Sequence, residues 1–272
     1  MPHADVNGIS FHYTDSGEPS PGAPTLVMGH GLLFSGWMFH PQVAALMDRY
    51  RCITVDWRGQ GDTPAAADRA ADMDSLTADL VALLDHLGLD AVHYAGLSMG
   101  GFVGMRLAAR NPDRVLSLVL LDTSAGPEDP EKVAQYRTLA RVYRWLGMGP
   151  VRSKVEPIMF GPDLLGSSRR DEVVGPWMAK LATVDRRGMR AAILGVTDRD
   201  PIAPELERIT APTLVIVGED DVATPVAKAE AIVAAIPGAR LEVVPKAGHS
   251  STIEQPEAVT RLLMDFLASV RP

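Results

Sequence analysis

The stretch Ala95-Gly96-Leu97-Ser98-Met99-Gly100-Gly101 constrains this chain more than any other. An apolar run, Ala91 to Ala95, leads into it, and a helical pattern from Met99 to Asn111 leads out. One serine stands between glycines two residues before and two residues after it, a G-x-S-x-G pattern in a strand-turn-helix context. A turn that tight brings the chain close to colliding with itself. Gly96 and Gly100 carry no Cβ and relieve the crowding. Ser98 is therefore expected at the top of a sheet, with a helix N-terminus beneath it. A plain Gly/Ser turn before a helix would give the same five letters, because short patterns recur by chance. The rest of the chain has to decide between the two.

The segments around this turn alternate between strand and helix. Val6 to Thr14 alternates as an edge strand and closes at Asp15-Ser16-Gly17. Strands are expected at Thr25 to Met28, Cys52 to Val55, Val115 to Leu121, Thr213 to Val217 and Arg240 to Val244. Between them fall helical patterns at Trp37 to Tyr50, Asp74 to Leu87, Pro225 to Ile236 and Glu254 to Val270. Leu76, Leu80, Leu83, Leu84 and Leu87 form one apolar stripe, with Gly88 as its stop. This rhythm predicts an α/β fold: a mostly parallel twisted sheet with helices on both faces. From Gly126 to about Glu207 no buried strand can be read, and helical stretches replace it. A segment so long is not a simple loop. The expected organisation is a core of residues 1–125 and 208–272, with a helical cap, 126–207, inserted over the strand ends.

Composition narrows the classes. The net charge of −8 in 272 residues argues against nonspecific binding to nucleic acid or to an anionic membrane. No apolar run approaches the roughly 20 residues needed to span a bilayer. No basic-then-apolar leader opens the chain, so a cytoplasmic protein is expected. Cys52 is the single cysteine, so no internal disulfide can form. No histidine pair has helical i, i+4 spacing and no cysteine pair exists, so no metal is expected. No phosphate-binding or dinucleotide glycine pattern appears, so no cofactor is expected either. Association as a homo-oligomer is left open.

A serine hydroxyl is a weak nucleophile near neutrality. It needs a base within hydrogen-bond reach, and the base needs a group that orients it. The chain offers Ser98, Asp221 and His249 in that order, each directly after an expected strand. In a parallel sheet, positions after strands gather at one edge, where ligands bind. Of the seven histidines, only His249 combines a glycine-preceded loop with a late strand. The acid is less sharply marked, because Asp220 adjoins Asp221 and Asp122 follows the strand ending at Leu121. Acyl transfer also requires donors aimed at the developing oxyanion. The amide of Met99, first in its helix, is one candidate.

Five pieces in order resemble the α/β-hydrolase superfamily over nearly the whole chain outside the cap. They are Gly29-His30-Gly31, Asp56 to Gly61, Gly96 to Gly100, Gly218 to Pro225, and Gly248-His249 followed by Glu254-Gln255-Pro256-Glu257. Within it the chain looks most like small bacterial carboxylesterases, cofactor-free haloperoxidase-like perhydrolases and enol-lactonases. The resemblance implies a serine hydrolase acting on a small carboxylic ester or lactone through an acyl-enzyme. It selects Asp221 as the acid, three residues after Gly218 and four before Pro225. It implies Leu32 N–H as the second oxyanion donor, His30 as a structural histidine, and a hydrogen-bonded turn at Asp56, Arg58 and Asp62. Phe34, Trp37, Trp145 and Trp177 are candidates for the substrate pocket, although large apolar residues at helical spacing more often only pack. Enol-lactonase, C–C bond hydrolase, perhydrolase and non-catalytic receptor chemistries share this framework.

Overall fold

The computed structural model describes residues 2–68 and 70–270. Eight strands form one sheet: β1 (His3–Val6), β2 (Ile9–Asp15), β3 (Thr25–Gly29), β4 (Arg51–Val55), β5 (Val92–Leu97), β6 (Val115–Leu121), β7 (Thr213–Gly218) and β8 (Arg240–Val244). Their spatial order is β1-β2-β4-β3-β5-β6-β7-β8. β1 and β2 pair antiparallel, as do β2 and β4; every pairing from β4 through β8 is parallel. The chain therefore moves outward from β3 to β4, then returns to the other side of β3 with β5. The reversal leaves a crevice at the carboxyl ends of β3 and β5, where open α/β sheets bind ligands.

The central strands are apolar on both sides because both sides are covered. One face carries the helices Met73–His86, Met99–Arg110 and Val226–Ala235, through Leu76, Leu80, Leu83, Phe102, Val103 and Ile232. The other carries His40–Leu46 and Pro256–Ser269, through Leu46, Val259, Leu263 and Phe266. Asp72 caps its helix by accepting the Ser75 amide, and Gly88, at φ 66°, ends it. Between β6 and β7 no strand intervenes. Helices Pro130–Leu146, Arg152–Met159, Pro162–Leu165, Arg170–Thr183 and Arg186–Thr197 fill the interval. Among the described residues no helix is long and apolar enough to cross a membrane.

Three local expectations are corrected. The single edge strand expected from Val6 to Thr14 is a hairpin. Asn7 and Gly8 both have positive φ, 47° and 77°, and make the two-residue turn that joins β1 to β2. The helix expected over Trp37 to Tyr50 is a 3₁₀ turn, Gly36–Phe39, followed by a short α-helix ending at Leu46. The last helix breaks at Gln255, because Pro256 cannot donate an amide and instead starts the next helix.

Candidate active site

Ser98 stands directly after β5 with φ 51° and ψ −109°, a conformation that L residues adopt rarely. The surroundings hold it there. Its amide donates to Leu121 O at 2.8 Å, and its carbonyl accepts the Thr123 hydroxyl at 2.8 Å and the Phe102 amide at 3.0 Å. A Cβ on Gly96 would lie 2.3 Å from Gly100 O, and one on Gly100 would lie 2.0 Å from Gly29 O. Neither glycine can be replaced without moving backbone. The strain leaves the Ser98 side chain projecting beyond the sheet edge.

Two further strand ends converge on it. His249 follows β8 and Asp221 follows β7. The Ser98 Oγ is 2.9 Å from His249 Nε2, and His249 Nδ1 is 2.9 Å from Asp221 Oδ2. Asp221 is itself fixed: Oδ1 accepts the amides of Ala223 and Thr224, and Oδ2 accepts the Thr224 hydroxyl at 2.7 Å. Of the three acid candidates, Asp221 is the one at the imidazole. Asp220 is spent on a turn through its amide, which donates to Ala247 O. Asp122 is fully buried; it accepts the Gly218 amide and the Ser251 hydroxyl, and so joins the loops carrying Asp221 and His249.

The charges follow from this packing. Burial disfavours a charged imidazole, but Asp221 opposes it by charge and by hydrogen bond, with Asp122 and Glu254 beyond. The net effect raises His249 above its ordinary value of 6.5. Burial acts on Asp221 too, and is outweighed by the His249 charge and four hydrogen bonds, so Asp221 stays below the usual carboxylate range. Burial and the neighbouring Asp221 charge push Asp122 well up. Two acids side by side are thus driven apart, leaving the charge on Asp221. In this arrangement His249 can take the Ser98 proton while Asp221 fixes the tautomer and compensates the imidazolium.

Two backbone amides flank the serine. Met99 N–H is the first of its helix, where partial positive charge accumulates. Leu32 N–H lies in the loop after β3. Among the described residues neither amide has a hydrogen-bond acceptor. The Leu32 loop is braced on three sides. His30, fully buried, bonds Gly31 O through Nδ1 at 2.7 Å and accepts the Trp57 amide at Nε2. Burial lowers its pKa, so it stays neutral. Leu33 has φ 69°; its amide donates to Gln60 Oε1 and its carbonyl accepts Trp177 Nε1–H, both at 3.0 Å. Gln60 and Trp177, far apart in sequence, therefore clamp one strained position.

Residues that sequence reasoning assigned no role complete the frame. Glu254 is buried and accepts the amides of Gly161, Gly248 and Ser250 at 2.8, 3.1 and 3.0 Å. Its place in Glu254-Gln255-Pro256 was visible, but which amides it would meet was not. Gln60 and Trp177 were equally silent as braces. At the β4 end, Asp56 accepts the amides of Gly36 and Asp62 and bonds His12 Nδ1, while Arg58 makes two bonds to buried Asp79. His12, Asp56 and Asp62 are the one cluster with metal-ligand spacing among the described residues. The Asp56 oxygens already accept those three groups, so the cluster serves the turn.

The aromatic pocket candidates are corrected. Trp145 is 71% exposed. Trp177 is fully buried and packs against Phe34 and Phe160. Phe34 and Trp37 border a separate, smaller cleft near Lys180. None of the four lines the cavity that opens on Ser98 and His249. That cavity, about 850 Å³ including its open mouth, is walled by the helix Pro130–Leu146 through Tyr136, Leu139, Ala140 and Tyr143. Val155, Met159, Ile193 and Val196 close it from the other helices. Trp is large enough to wall any cavity, and a sequence does not give the rotation of a helix about its axis.

Residues 26–262 match the profile of the alpha/beta hydrolase family. The chain is 30% identical over 252 residues to 3-oxoadipate enol-lactonase 2 of Acinetobacter baylyi, covering 92% of this chain and 90% of that one. Among solved structures it superimposes on the enol-lactonase from Burkholderia xenovorans LB400 with TM-score 0.90 and 33% identity. That match covers 98% of this chain and 100% of the other. It superimposes on a thermophilic esterase from Thermogutta terrifontis with TM-score 0.89 and 30% identity, covering 100% and 98%.

Proposed function

The chain belongs to the alpha/beta hydrolase family, and from that premise we propose that it is a serine hydrolase of small carboxylic esters or lactones. The observation that carries this reading is the unbroken line from Ser98 Oγ to His249 to Asp221, with both contacts at 2.9 Å. Ser98 attacks the carbonyl carbon as His249 Nε2 takes its proton. The Met99 and Leu32 amides receive the oxyanion, whose stabilisation in such sites is worth about 3 kcal/mol per donor. His249 returns the proton to the departing alkoxide, and an acyl group remains on Ser98. Water, deprotonated by His249, then releases the acid and restores the serine.

The pairing of Ser98 with His249 suits attack on an acyl carbonyl such as that of an ester or lactone. The similarity to an esterase and to enol-lactonases supports the same class. The helices between β6 and β7 serve as the cap that sets substrate shape. The reading is tested with a panel of short aryl esters and small lactones. The wild type is expected to turn over at least one of them, and Ser98→Ala to lose about 10³-fold or more of that activity. Undiminished hydrolysis by Ser98→Ala would reject the mechanism. If both proteins are inert while a ligand binds, the chain is a receptor on this fold.

A further inference from the structure

The cluster beside the turn after β4 has donors that the turn does not use. Asp56 is spent there, since its oxygens accept the amides of Gly36 and Asp62 and the His12 Nδ1–H. That leaves His12 with a lone pair on Nε2. The residue is only 4% exposed, yet among the described residues Nε2 has no hydrogen-bond partner. A buried polar atom without a partner is costly and calls for an explanation.

The direction of Nε2 is fixed. The His12 amide donates to the Thr63 hydroxyl at 2.8 Å, its carbonyl accepts the Asp56 amide at 3.1 Å, and Nδ1 is 2.9 Å from Asp56 Oδ2. Held in this way, Nε2 lies 4.0 Å from Asp62 Oδ2. That gap is too long for a hydrogen bond, and too short for a bridging water, whose two partners stand about 4.5 Å or more apart. It is within the reach of two metal–ligand bonds of about 2.0–2.2 Å. The Asp62 side chain is 73% exposed and is free to adjust. Across the β1–β2 hairpin, His3 is the direct partner of His12, so the two side chains share one face. Their ring centres are 5.1 Å apart. Two imidazoles on one tetrahedral ion, each bonded at about 2.0–2.1 Å, have ring centres about 5 Å apart.

We propose that His12 Nε2, the Asp62 carboxylate and His3 hold a divalent transition-metal ion of the Zn²⁺ type, with water in the remaining position. Asp56 is the outer partner: by accepting the Nδ1–H it fixes the tautomer that presents Nε2 to a metal. Imidazole nitrogen beside carboxylate oxygen suits such an ion, whereas Mg²⁺ prefers oxygen ligands alone. None of these residues lines the cavity over Ser98, so the ion takes no part in hydrolysis. It acts as a staple, joining both strands of the edge hairpin to the turn after β4; within the sheet β1 pairs with β2 alone. No metal was expected from the sequence, because ligands at positions 3, 12 and 62 are brought together only by the hairpin and the turn.

The experiment is calorimetric titration of Zn²⁺ into the full chain, freed of metal by a chelator and carrying no affinity tag. Binding of one ion per chain is expected. Asp62→Asn and His3→Gln, both at exposed positions, are each expected to weaken it about tenfold or more, at least the loss that follows removal of an outer partner of a metal site. His40→Gln removes an exposed imidazole outside the cluster and is expected to change the affinity less than about twofold. An ion that binds only the folded chain stabilises it, so Zn²⁺ is expected to raise the melting midpoint of the wild type and of neither weakened variant. Mg²⁺ is expected to do neither. Absence of one-to-one Zn²⁺ binding would overturn the proposal, as would binding that Asp62→Asn and His3→Gln both leave unchanged, or equal binding of Mg²⁺. In each of those cases His12 would be a brace of the turn alone.

Discussion

Glu254 accepts the amide of Gly161 at 2.8 Å across 93 positions of sequence. The same carboxylate oxygen accepts the Gly248 amide, and its other oxygen accepts that of Ser250. The residue between those last two is His249. One buried side chain thus ties the segment between β6 and β7 to the loop that carries His249. The imidazole is thus placed by a tertiary contact as well as by its own loop.

Replacing Glu254 should therefore affect stability and catalysis together. Glu254→Ala strands three buried amides, and a loss of about 3 kcal/mol or more in urea unfolding is expected. Glu254→Gln still presents an acceptor oxygen and should lose less stability, with kcat reduced more than KM is changed. Wild-type kcat in both variants would exclude a positioning role.

Asparagine substitution separates the two adjacent acids. Asp221→Asn leaves the imidazole without its charged partner and is expected to lower kcat by about 10³- to 10⁴-fold. Asp220→Asn removes a carboxylate that touches neither His249 nor Ser98 and should stay within about twofold. Steady-state rates on one ester suffice. Equal losses would remove Asp221 from its assigned place.

The pH profile carries a defined sign. His249 acts as a base only when neutral, and Asp221 holds its pKa above 6.5 against the opposing effect of burial. As pH falls through that raised value the imidazole gains a proton and activity is lost. The acid limb of kcat/KM should therefore have its midpoint above 6.5. In Asp221→Asn the opposing charge is gone and burial is unbalanced, so the residual activity should keep its acid limb at lower pH.

Two tryptophans in the helices between β6 and β7 should respond differently. Trp145 is mostly exposed, and Trp145→Ala is expected to change stability by less than about 0.5 kcal/mol and leave kcat alone. Trp177→Phe keeps most of the buried ring but removes the bond to Leu33 O, loosening the loop that presents the Leu32 amide. A fall in kcat of about tenfold is expected, together with a stability loss of about 1–3 kcal/mol from the stranded Leu33 carbonyl and the smaller ring. Thermal melts and initial rates on both variants check it.

Ala at Gly96 or Gly100 probes the elbow. Each Cβ would stand within 2.3 Å of a carbonyl oxygen in backbone that cannot yield. Both variants should lose about 3 kcal/mol or more, or fail to accumulate as soluble protein. A stable, active Gly100→Ala would mean that the turn is looser than its geometry.

The alternation of strands and helices, the Ser98 turn and the order Ser98, Asp221, His249 were all legible in the chain, for a local reason. Strand and helix periodicity, and the need for Gly beside a strained residue, are written within a few positions of each other. Parallel strands then bring their carboxyl ends together, so residues after β5, β7 and β8 had to meet. Asp221 was marked over Asp220 only by its place between Gly218 and Pro225; the physical reason lies in the packed loop, where the Ala223 and Thr224 amides fix its carboxylate. The cavity was not legible at all. Tyr143 and Trp145 are two residues apart on one helix, yet one is buried over Ser98 and the other faces solvent. Nothing local distinguishes them, because the rotation of a helix about its axis is set by what it packs against.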